Sequence, residues 1–88
     1  MGDKLSKREM AENLSLAVSI EEIVIDTAAE LLRKNTDKIA EKFSNSDCSN
    51  KLFDFSTDYL HNDINLILLD FLTECRDKYG YKVVEDEV

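Results

Sequence analysis

The sequence predicts an all-α protein: an antiparallel helical hairpin or small helical bundle, with dimerisation completing its core. Three observations carry this expectation. The 88 residues include no proline and only two glycines, so long stretches are free to be helical. Apolar residues recur at the helical period through two long stretches, separated by one polar segment. The apolar fraction of 43% is too high for an obligately disordered acidic chain, which lacks the apolar surface to offset its ordering entropy. A chain of this length buries only about 60 to 65% of its unfolded surface, which supports one core, so residues 1–88 read as a single helical domain.

The first helical region spans about 6–44. With roughly 100° of rotation per residue, Met10, Leu14, Ala17, Val24, Ile25, Ala28, Leu31, Leu32, Ile39 and Phe43 fall in one broad arc. That phase predicts one long helix, or shorter helices whose joints preserve the face. Ser19-Ile20-Glu21-Glu22 has a capping-box pattern, and Asn35-Thr36-Asp37 interrupts the stripe; both are candidate joints. Glu21 is the misfit, since a continuous helix puts it on the apolar face.

Residues 44–50, Ser-Asn-Ser-Asp-Cys-Ser-Asn, read as a connector because small polar residues favour caps and turns. A second helical region, about 50–79, carries Phe53, Leu60, Ile64, Ile67, Leu68, Phe71, Cys75 and Tyr79 on one stripe. Ser56-Thr57-Asp58 offers a cap that would split off a short first helix, and Gly80 is a natural C-terminal cap. The acidic tail, 80–88, is either a short extended segment or frayed acid.

Leu66, Leu69 and Leu72 lie off the main stripe of the second region, as do Leu16 and Ile23 in the first. Left in water they form the kind of apolar patch that marks an interface, so these five are the expected oligomer contacts of a homodimer.

Charge excludes several function classes. Eleven Lys and Arg stand against nineteen Asp and Glu, and the net −8 disfavours direct contact with nucleic acid or anionic lipid unless basic residues are segregated on one face. No such basic patch is visible in the sequence. The densest apolar run, Ile64 to Leu72, is broken by Asn65 and Asp70 and falls short of a membrane span, and the first residues lack the apolar core of a signal peptide. Cys48 and Cys75 stand 27 residues apart without a second pair, which predicts reduced thiols rather than a zinc site or disulfide framework and fits a cytoplasmic protein.

Residues 1–45 carry net −2 and residues 46–88 net −6, so the acid excess is late in the chain. Asp63, Asp70, Glu74 and Asp77 share a narrow arc of the second region, away from its apolar stripe. In the first region Glu22, Asp26 and Glu30 stand at i,i+4, a like-charge spacing that costs an isolated helix a few tenths of a kcal/mol per pair. Carboxylates about 6 Å apart approach the roughly 7 Å phosphate step of one nucleic-acid strand, so these seven acids are the candidate partner-binding residues.

Catalysis is not expected. His61 is the single histidine, and its Asp58-x-x-His61 spacing is one incomplete half of a di-metal bundle motif, so no metal or cofactor is assigned. Glycine-rich phosphate cradles and GxSxG motifs are absent. Gly2 with Ser6 meets the bare myristoylation spacing, but Asp3 and the net charge argue against membrane attachment. The C-terminal Asp86-Glu87-Val88 has the form of a carboxylate-domain ligand, a pattern that three residues often match by chance.

No motif specific enough to name a family stands in the chain. The expected function is a small non-enzymatic modulator or inhibitor, of the size and charge of a phage or mobile-element product. Its acidic helical face would cover the basic, nucleic-acid-binding surface of a partner protein. The alternative is a structural oligomerisation module or subunit whose acids serve only solubility.

Overall fold

The computed structural model describes residues 7–84, so the Gly2–Ser6 motif and the final Asp86-Glu87-Val88 lie outside the described residues. The described residues form four α-helices, α1 (Lys7–Leu32), α2 (Thr36–Ser44), α3 (Asp47–Leu52) and α4 (Ile64–Tyr79), with a 3-10 turn at Tyr59–His61. The described residues form no strand, and the protein is all-α.

The Ser19–Glu22 pattern is not a joint, because α1 runs through it unbroken with Glu21 half-buried. The break comes at Arg33, whose left-handed φ of 56° turns the chain out of the helix. There the Lys34 N–H donates to the Ala29 carbonyl at 3.0 Å and the Arg33 N–H to Glu30 at 3.3 Å. These bonds satisfy carbonyls that a helix end otherwise leaves unpaired. Asn35 then caps α2, its side chain accepting from the Asp37 N–H at 2.8 Å.

Residues 44–50 are not simply a connector. Ser46 is buried and caps a new helix, its Oγ accepting from the Ser49 N–H at 3.0 Å while donating to the Phe43 carbonyl at 2.6 Å. Cys48 and Leu52, one turn apart in α3, both enter the core. The irregular segment is instead 53–58, so the helical region expected from about residue 50 begins only at Ile64. Asp54 and Thr57 tie that segment with local side-chain bonds, and Asp63 caps α4 by accepting from Asn65 N–H at 2.8 Å.

The two long helices are therefore not joined as an antiparallel hairpin. The 3-10 turn that leads into α4 lies against the first turns of α1, around Glu9 and Asn13. At the other end the Val84 N–H donates to the Leu31 carbonyl at 2.8 Å. α4 thus runs in the same sense as α1 and packs directly against it, with α2 returning along α1. Gly80 closes α4 in the left-handed conformation, φ 73°, its N–H bonded to Arg76. Residues 81–84 follow as a non-helical segment anchored on α1.

All four helices and the 3-10 turn feed one core. Ala17, Val24 and Ala28 give α1 a low surface over which Ile39 and Phe43 of α2, Leu52 of α3, Leu60, and Ile67, Phe71 and Cys75 of α4 close. Phe43 and Phe71 meet edge to face at 5.0 Å, a geometry worth about 1 kcal/mol beyond area burial.

Candidate functional site

α3 and α4 meet along an open groove of about 300 Å³, lined by Asp47, Cys48, Lys51, Asp70, Thr73, Glu74, Asp77 and Lys78. Its geometry follows from Glu74, whose side chain is only 13% exposed. The Glu74 carboxylate accepts from the Asp47 N–H at 2.8 Å, the Cys48 N–H at 3.1 Å and the Lys78 ammonium at 2.7 Å. Burial alone would raise its pKa, but the Lys78 bond and the two backbone donors outweigh it and hold the carboxyl below the usual range. Glu74 is thus the anchor of α3 on α4.

Beneath the groove, the Tyr59 hydroxyl donates to Asp70 Oδ2 at 2.6 Å and lies 3.5 Å from the Cys48 sulfur. The Cys48 thiol also reaches the Ile67 carbonyl at 3.6 Å. Burial, then the Asp70 bond, pushes the Tyr59 hydroxyl well above its ordinary value. Burial likewise raises the Cys48 thiol and pushes Cys75 up to about 11. Both cysteines are free and buried, the opposite of the exposed, low-pKa setting of a reactive thiol.

Three of the four late acids, Asp70, Glu74 and Asp77, share this groove, while Asp63 stands apart as the α4 cap. Asp77 is exposed beside Arg76 at 3.4 Å. Glu22, Asp26 and Glu30 are exposed on α1 and line no part of the groove. Asp47 belongs with the site but lay hidden in the supposed connector; the signal was Ser46 as a cap followed by an acid, with Cys48 and Leu52 at i,i+4.

Of the expected oligomer contacts, Leu16, Ile23, Leu66 and Leu69 are exposed, the last two at 56% and 58%, while Leu72 packs partly against the core. Asp58 precedes the 3-10 turn and His61 ends it, so the pair does not lie within one α-helix. Among the described residues no cluster of three or more His, Cys, Asp or Glu has the geometry of a metal site. No described helix is long and apolar enough to cross a membrane.

A second feature departs from the sequence reading. Basic residues scattered along the chain gather at the end of the molecule where α1 stops and α4 finishes. Lys34 sits 4.6 Å from the Tyr81 ring centre, and Lys38 5.9 Å from it. Lys42 lies 4.5 Å from the Tyr79 ring. The fold sets the cations of residues 34–42 against the tyrosines that end α4 and follow it. Comparison of the chain with protein-family models, characterised proteins and solved structures finds no match.

Proposed function

We propose that the protein is a non-enzymatic modulator that binds a basic surface on a partner protein through the acidic groove between α3 and α4. The observation that supports this most is the convergence of Asp47, Asp70, Glu74 and Asp77 from two helices onto one open surface. Asp70 and Asp77 stand two turns apart, about 10 Å along α4, so a partner can meet them with cations on one helix or strand. The net charge of −8 steers such a partner toward the protein by long-range attraction. Because a nucleic-acid-binding protein presents that kind of basic surface, competition with nucleic acid is the proposed outcome of binding.

The acids divide by what they hold. Glu74 anchors α3 and Asp70 holds Tyr59, so reversing either confounds binding with folding. Asp47→Lys with Asp77→Lys leaves both bonds in place and reverses the exposed charge. In capture from a nuclease-treated lysate, proteins retained by the native chain should be lost by this variant and eluted by modest salt. Retention of the same proteins by the variant, with unchanged salt sensitivity, would sink the proposal.

A second reading rests on a separate observation, the exposed aliphatic residues of α1 and α4. Helical phase puts Leu16 and Ile23 on the outer edge of α1, and Leu66, Leu69 and Leu72 on the outer edge of α4. Because α1 and α4 run side by side in the same sense, a second copy packed across these edges would cover all five. This reading makes the protein an oligomerisation module or subunit and the acids its solubilising surface.

A further inference from the structure

We infer that the basic, tyrosine-backed end of the molecule is a second binding surface, and that it takes a short acidic peptide segment. Residues 33–42 contain four cations and two acids, and residues 76–82 three cations and one acid, so the two segments together carry net +4 while the rest of the chain carries −12. They are joined in space through the rings of Tyr79 and Tyr81, whose centres are 5.4 Å apart. Lys34 and Lys38 reach the Tyr81 ring, and Lys42 the Tyr79 ring. The rings hold the flexible lysine stems in one layer, so less rotamer entropy is lost when an anion engages the ammonium groups.

An ammonium lying over a ring keeps N–H donors for a carboxylate on its outer side. Lys34 and Lys38 are exposed, and Lys38 and Lys42 stand one turn apart on α2, about 6 Å, a spacing that alternate acidic residues of an extended peptide can match. Nucleic acid is the poorer fit for two reasons. Lysines already occupy faces of both tyrosine rings, where bases would have to stack. An extended polyanion would also run off the patch onto a surface carrying the remaining −12, whereas a short segment stays within about one Debye length of its cations. The surface is at the opposite end of α4 from Asp63 and does not depend on the acidic groove for its chemistry.

The test is fluorescence anisotropy with a labelled poly-glutamate peptide, set beside an oligothymidylate of equal charge. The full chain should bind the peptide saturably and in preference to the oligonucleotide. The Lys34→Gln, Lys38→Gln, Lys42→Gln variant should bind about tenfold more weakly, three exposed ion pairs being removed. Asp47→Lys, which lies in the groove and outside residues 33–42 and 76–82, should bind at least as well as the native chain, which separates this surface from the groove. NMR shifts induced by the peptide in the native protein should centre on residues 34–42 and 79–82, a readout that needs no variant. Absence of saturable binding, equal binding by the lysine variant, tighter binding of the oligonucleotide, or shifts centred elsewhere would each overturn the inference.

Discussion

Glu74 accepts two backbone N–H bonds and one ammonium, so its contribution to folding depends on its charge. Its folded-state pKa is depressed, and stability from such a group is present above the unfolded value, about 4.3, and lost as pH falls through the folded one. Acid titration of the native protein should therefore show a loss of stability below about pH 4.3 that is smaller in Glu74→Gln. At neutral pH Glu74→Gln should cost about 1 kcal/mol in denaturant melts, since the charge-assisted bonds to the exposed Asp47 N–H and the partly buried Cys48 N–H are weakened. No change at neutral pH would mean that α3 docks without this carboxylate. The cysteines support a second expectation. With Cys75 fully buried and raised to about 11, and Cys48 raised by its own burial, thiol reagents at neutral pH should label either only at the rate of unfolding. Fast labelling of the native protein would contradict the packing around α3.

The helices show which signals the chain carries openly. The stripes of α1 and α4 were readable because Val24, Ala28, Ile67, Phe71 and Cys75 recur at a period that only one secondary structure satisfies. Gly80 was readable as a cap for the same local reason, a left-handed residue closing α4. The Cβ of an alanine at Gly80 would meet nothing within 4 Å, so Gly80→Ala should cost about 1 kcal/mol from backbone strain alone. What stayed hidden depends on contacts distant in sequence. α3 is six residues, the first four weak helix formers, held by Ser46 and by Glu74, a partner 27 positions from Asp47, and no local pattern reveals such support. Ser46→Ala should cost about 1 kcal/mol, because it unpairs the Ser49 N–H at the start of α3, while the Phe43 carbonyl keeps the Ser46 N–H. The acidic arc of α4 was likewise readable as a face, but the structural roles of Glu74 and Asp70 within it follow from tertiary bonds to α3 and Tyr59. The basic end depends on a distant pairing, Tyr79 and Tyr81 set against lysines about 40 residues earlier.

The assembled molecule has three unlike surfaces: an acidic groove, a basic end and an aliphatic edge along α1 and α4. The aliphatic edge makes a prediction about mass. If a second copy covers it, analytical ultracentrifugation should give a dimer for the native chain and a monomer for Ile23→Lys with Leu69→Lys, both positions being exposed and free of core contacts that would unfold the protein. A native monomer at micromolar concentration would remove the dimer. The charged surfaces give the chain direction, since net −12 outside the basic end and +4 within it orient any charged partner before contact. The most direct measurement on the acidic groove is capture from a nuclease-treated lysate across a salt series, comparing the native chain with Asp47→Lys, Asp77→Lys. Loss of the captured proteins by the variant, together with their elution from the native chain at modest salt, is the predicted result. Identical capture by both chains at every salt concentration would contradict it.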